Sequence, residues 1–228
     1  MPSSSSTALP RKPRNDSRAA VSGRQGLYRF PIDRGMSTNA VTVERLRSIG
    51  YELTTLAEMA TQPDRYDGAI PVLLEALSAE QDPFAKEWIV RALSVRWASA
   101  ETLTPIIDEL LSLKHQAGRG VPNLQWALGN AIQVLWDDRE FERLVSIAVT
   151  HGFGDGRRMV VFGLSKSTRP AAVSALLSVF EQPEVTKLAT DALIKLGAEA
   201  ARPALLELLN DPRDWVSRSA ARALRTIG

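Results

Sequence analysis

Pro203-Ala204-Leu205-Leu206-Glu207-Leu208-Leu209 matches Pro71-Val72-Leu73-Leu74-Glu75-Ala76-Leu77 almost residue for residue, 132 positions apart. Pro105-Ile106-Ile107-Asp108-Glu109-Leu110-Leu111 keeps the pattern. Leu144-Val145-Ser146-Ile147-Ala148 and Leu176-Leu177-Ser178-Val179-Phe180 are looser copies. From Leu73 through Ile107, Leu144, Leu176 and Leu205 the steps are 34, 37, 32 and 29 residues. A second motif sets a small residue directly before an aliphatic one: Ala92-Leu93, Ala131-Ile132, Gly163-Leu164, Ala192-Leu193 and Ala223-Leu224, with steps of 39, 32, 29 and 31 between the aliphatic members. Two independent anchors with one period of thirty-odd residues predict stacked α-hairpins. The expected fold is all-α: an α-solenoid of about five such hairpins, each with a first and a second helix.

Punctuation falls where hairpins need it. Asp82-Pro83 and Asp211-Pro212 fit an N-cap carboxylate followed by Pro at the first helical position. Gln182-Pro183 and Val121-Pro122 keep the Pro, and Asp155 is expected to cap the third pair's second helix after the Gly152–Gly154 turn. Gly197 and Gly228 suit helix C-termini. In the last helix Val216, Ala220, Ala223, Leu224 and Ile227 form an apolar stripe, with Arg218, Arg222 and Arg225 away from its centre. Upstream, Val43, Leu46 and Ile49 have helical spacing and stop at Gly50, and Thr55 with Glu58 reads as a capping box. The expected organisation is a disordered basic tail over 1–39, an N-terminal helical cap over 40–65 and the repeat array over 66–228. The cap is expected because each repeat buries its apolar faces only against neighbours.

Composition agrees. Hydrophobic residues make up 44% and aromatics only 6%, as suits a core built from Leu, Ala, Val and Ile. With no Cys, disulfides, Cys-ligated zinc, iron–sulfur centres and thiol nucleophiles are excluded. A Cys-free chain fits a reducing compartment, so a cytoplasmic location is expected. No apolar run approaches the ~20 residues that span a bilayer, so membrane insertion is not expected. The formal charge of +2 hides an asymmetry: residues 1–40 hold seven basic and two acidic groups, while the remainder holds 21 basic and 24 acidic ones. The tail is therefore basic and the body slightly acidic, which argues against a nucleic-acid partner. The tail is rich in Ser, Arg, Pro and Gly and lacks apolar periodicity, hence the expectation of disorder. It faintly resembles an organelle transit peptide, and Met36 offers an alternative start that would leave residues 1–35 untranslated.

The paired helices, the Pro in the first helix, the Asp-Pro between helices and the Ala-Leu in the second resemble HEAT repeats, nearest the bacterial PBS-lyase-type HEAT-like group. The resemblance covers about 67–228 and is best in the last two pairs; in the third pair Gly163 replaces Ala and neither helix has its Pro. It implies a protein-binding scaffold whose second helices line the concave face. A minority of the family is implied to be bilin lyases or alkyl-base DNA glycosylases.

Counting two, six and nine residues back from each aliphatic anchor picks one stripe opposite the apolar one. Its rows read Arg91, Asn130, Phe162, Asp191, Arg222; then Glu87, Trp126, Arg158, Lys187, Arg218; then Phe84, Asn123, Asp155, Glu184, Trp215. Aromatic residues and Arg are the types enriched at protein–protein hot spots. The expected contact residues are Arg91, Trp126, Asn130, Arg158, Lys187, Asp191, Trp215, Arg218 and Arg222, for a protein partner that the sequence does not identify. Arg158, Lys187 and Arg218 form a partial basic ladder, with Asp155, Glu184 and Asp191 beside it to oppose a polyanion. Trp97 and Trp136, each four residues after an anchor, are expected to pack on each other or on the next loop, and Asp137 and Asp138 to cap the following helix.

Catalytic motifs are weak. His115 and His151 stand singly near helix ends, where the dipole favours them. No spacing matches a zinc motif or a phosphate loop: Gly118-Arg119-Gly120 is short and lacks Lys, and no strand precedes Gly152-Phe153-Gly154-Asp155-Gly156. No catalytic residue, metal or cofactor is expected. A DNA glycosylase would have to press Trp126, Asp191 and Arg158 into service without a matching motif, and a bilin lyase rests on the repeat type alone.

Overall fold

The computed structural model describes residues 39–61 and 64–227. Among them are twelve α-helices and no strand. The expected basic tail lies outside the described residues save for Asn39, which is buried and donates from Nδ2 to Ala85 O at 3.1 Å. Gly228 also lies outside them.

Five consecutive pairs follow the two anchors. They are α3 (Ile70–Ala79) with α4 (Pro83–Leu93), α5 (Ser99–Ser112) with α6 (Val121–Leu135), α7 (Phe141–Val149) with α8 (Gly154–Gly163), α9 (Ala171–Ser178) with α10 (Thr186–Leu196), and α11 (Arg202–Glu207) with α12 (Asp214–Ile227). Each pair packs on itself, and the second helices stack in the row α4, α6, α8, α10, α12. Before them, α1 (Ala40–Ser48) packs on α3 and α2 (Leu56–Met59) on α4, in the same first-on-first and second-on-second manner.

Both anchors lead into the core. Leu73, Ile107, Leu144, Leu176 and Leu205 are wholly buried, as are Leu93, Ile132, Leu164 and Leu193. Leu224 is half-buried against the same core. The small residues Ala92, Ala131, Ala192 and Ala223 are at most 1% exposed, which leaves no room for a longer side chain.

The closest joint in the row lies between α6 and α8. Gly129 and Gly156 face one another: a Cβ on Gly129 would stand 2.6 Å from Gly156 Cα, and one on Gly156 would stand 2.5 Å from Gln125 O. Here the main chains themselves touch, and only Gly permits that. Gly163 makes a similar approach, with Trp136 Cε3 2.7 Å from where its Cβ would lie.

The helix ends follow the expected chemistry in part. Asp211-Pro212 does not cap α12, which starts two residues beyond the Pro, at Asp214; Asp211 instead accepts from Arg213 N at 2.9 Å in the preceding turn. Asp82 caps α4 by accepting from Phe84 N at 3.3 Å, Thr55 and Glu58 form the capping box of α2, and Gly197 closes α10 in the left-handed region at φ 58°. Asp155, however, is not an N-cap. The helix opens two residues sooner, at Gly154, so its carboxylate lies inside the first turn, accepting from Arg158 Nη1 at 2.9 Å and still complementing the positive end. Pro105 lies in the interior of its helix, since α5 starts at Ser99. That Pro costs the helix one N–H donor, while Thr102, Leu103, Ile106, Ile107 and Leu110 hold it to the core.

Candidate interaction surface

The outward stripe divides into an aromatic half on α4 and α6 and an ionic half on α8, α10 and α12. In the aromatic half the Arg91 guanidinium lies 5.6 Å from the Trp88 ring centroid and 5.4 Å from that of Trp126, while its Nη2 donates to Glu87 Oε1 at 2.7 Å. Arg119 lies 5.9 Å over Phe84 on the same side. Trp88, Trp126 and Phe84 remain half-buried rather than entering the core. The sequence placed Arg91 and Trp126 on one surface, and the structure brings them into contact. Trp88 and Arg119 escaped the register count because they fall one position off the stripe and in a loop. Glu87, placed outward by the count, is buried beneath Arg91, whose charge compensates it.

In the ionic half, Asp191 and Arg222 join α10 to α12 at 2.6 Å. Arg158, Lys187 and Arg218 are all exposed on successive second helices. Arg158 pairs with Asp155, Arg218 lies 3.7 Å from Asp214, and Lys187 has no partner among the described residues. Trp215 is half-buried with the Arg213 guanidinium 5.5 Å above its ring. Arg213 in turn is clamped by Asp211 and Glu181, both at 2.6 Å, and the side-chain hydrogen bond from Arg213 holds the Asp211 carboxyl down at about 2. Asn130 is half-buried on α6.

Arg157 is the residue that sequence reading missed. One position from the exposed Arg158, it turns inward and is 3% exposed. Its Nε donates to Ala148 O at 2.8 Å, Nη1 to Glu184 Oε1 at 3.2 Å and Nη2 to Gln182 Oε1. Burial lowers its pKa and Glu184 opposes the shift. The guanidinium ties the end of α7 and the loop before α10 to α8.

Trp97 and Trp136 do not pack on each other. Trp97 meets Tyr66 edge-on at 5.1 Å with Arg65 above it, whereas Trp136 lies on Gly163 and donates from Nε1 to Asp138 Oδ1 at 3.0 Å. Asp137 caps the turn before α7 by accepting from Arg139 N at 2.8 Å, while Asp138 binds the Thr168 amide and hydroxyl. No cluster of three or more His, Asp or Glu that could hold a metal occurs among the described residues. No described helix is long and apolar enough to cross a membrane.

Stacked helix pairs with this core make the described chain an α-helical repeat solenoid. Residues 141–225 match the family model of HEAT repeats, and that stretch belongs to the HEAT-repeat family. No curated protein matches the chain.

Proposed function

We propose that the protein is a non-catalytic scaffold that binds a protein partner along the outward stripe of its second helices, with 40–65 as a cap and 66–228 as the array. HEAT repeats commonly serve as protein-interaction scaffolds, which supports the coarse reading. The observation that carries the finer one is that Arg91, Trp126, Trp215 and the exposed cations Arg158, Lys187 and Arg218 fall on one stripe of five stacked helices, Trp126 and the three cations in the same row. The second helices pack on one another more closely than the first helices do, so their row forms the inner side of the array. A preformed surface of this kind loses little ordering entropy on binding. Asn130, Asp191 and Arg222 complete the contact set. Asp155 and Asp214 pair with Arg158 and Arg218 of the ladder, and Asp191 with Arg222 beside it, which favours a protein partner over a polyanion. Freedom from Cys suits work in the cytoplasm.

The test is recovery of bound proteins from native lysate by wild type and by an Arg158→Glu/Lys187→Glu/Arg218→Glu chain. All three side chains are exposed, so the melting curve should be retained. Loss of a specific bound species is expected. Equal recovery of every species by both chains refutes the surface.

A further inference from the structure

A cleft of about 470 Å³ opens where α4, α6, α8 and α10 end, one turn beyond the stripe. Three cations from three different repeats, Arg96, Lys166 and Lys195, line it together with Ser99, Ser165 and Trp136. No carboxylate lines it, and none pairs with these three cations elsewhere among the described residues. Most other Arg side chains of the array have an acidic partner, so the concentration of uncompensated charge here is a local property. Lys195 lies 5.4 Å from the Phe162 ring centroid, and Lys166 Nζ donates to Gln133 O at the end of α6. Burial, then Arg96, then Lys195 hold the Lys166 pKa below that of a free lysine.

A second observation is independent of charge. Ser165 is 7% exposed, and its Oγ is buried without a hydrogen-bond partner. An unmade hydrogen bond in such a place is costly unless something else makes it. Ser99, the first residue of the fourteen-residue helix α5, also lines the cleft.

We propose that this cleft binds a phosphate dianion, either inorganic phosphate or a phosphate monoester, with Arg96, Lys166 and Lys195 around its oxygens and Ser165 donating its hydroxyl to one of them. Three cations lining one cleft suit a tetrahedral, doubly charged anion with several acceptor oxygens. A planar carboxylate would leave one of them unanswered. The bound anion would relieve the repulsion among the three and fasten the ends of α4, α8 and α10 together. The proposal goes beyond the scaffold reading and does not need it, because none of its residues belongs to the proposed contact set.

Calorimetric titration of the full chain tests it, with potassium phosphate and O-phosphoserine as ligands and serine and potassium chloride at matched ionic strength as blanks. Saturable binding of at least one phosphate ligand is expected. Arg96→Gln and Lys195→Gln, both at exposed positions, should each weaken it about tenfold while leaving the phosphate-free melting curve unchanged. Ser165→Ala should weaken binding yet melt no lower than wild type without phosphate, since it removes an unsatisfied hydroxyl. Binding of phosphate but not phosphoserine assigns the free anion, and binding of phosphoserine assigns the ester. No saturable heat with either ligand, or affinities unchanged in the Arg96→Gln and Lys195→Gln chains, overturns the proposal.

Discussion

Replacing Gly129 by Ala should destabilise the protein, although the same change in most helices does the reverse. Gly in a helix interior costs about 1 kcal/mol relative to Ala, so propensity alone predicts a gain. At Gly129 the added methyl would stand 2.6 Å from Gly156 Cα, against main chain that cannot rotate away. Relief requires α6 and α8 to separate along their tightest contact. Overpacking costs about 1–3 kcal/mol, and a backbone obstacle places the cost at the upper end. The expected net loss is about 2 kcal/mol, or a Tm lower by about 4–8 °C for a chain of this size. Thermal melts followed by circular dichroism measure it. Ser174→Ala, at an exposed position of α9, is the matched control and should stay within about 0.5 kcal/mol of wild type. If Gly129→Ala melts at or above wild type, the two helices do not approach as described.

Ala192→Phe should lower the Tm clearly, by about 1–3 kcal/mol of overpacking at a site with no exposure, and an unchanged melting curve would contradict the register. Arg157→Met should cost about 2–4 kcal/mol, since it strands the Ala148 carbonyl and the Gln182 and Glu184 side chains; urea denaturation reads this, and a midpoint equal to wild type would deny Arg157 its tying role. Tyr66 donates to Ala92 O at 2.7 Å, and burial pushes its hydroxyl from 10.0 up to about 12. A pKa raised on folding means that the stability Tyr66 contributes is complete below pH 10 and fades as the pH climbs toward 12. Over that window the wild type should lose stability more steeply than Tyr66→Phe, and parallel curves would exclude ionisation of Tyr66 as the cause.

The hairpins were legible because periodicity reports burial directly: Ala192 and Ala223 repeat because the space beside them does, and Asp82 caps α4 because it precedes a Pro that cannot donate. Pro105 keeps the register of Pro71 and Pro203, but those stand in the first turn of their helices, whereas α5 extends a turn and a half further back, a length that the pattern does not encode. The Gly129–Gly156 contact was invisible because a helical Gly reads as a weakness until the residue facing it, 27 positions on, is known. Arg157 was passed over because an arginine reads as surface, and only the carbonyl of Ala148 shows that its charge is satisfied inside. The outward stripe was legible as a register but not as chemistry. That Arg91 lies over Trp126 while Glu87 is covered depends on rotamers, which spacing does not encode.

The glycine seam also limits how this array can change length. Counting from the aliphatic anchors, the equivalents of Gly129 are Val90, Val161, Thr190 and Ala221, and those of Gly156 are Ala85, Leu124, Val185 and Val216. Excising the hairpin of α7 and α8 would therefore seat Gly129 opposite Val185, a pairing with neither the clearance nor the complementarity of the original. Modules that look interchangeable by pattern are locked in order at this one junction, so insertion or loss of a unit should be tolerated more readily on either side of it than across it.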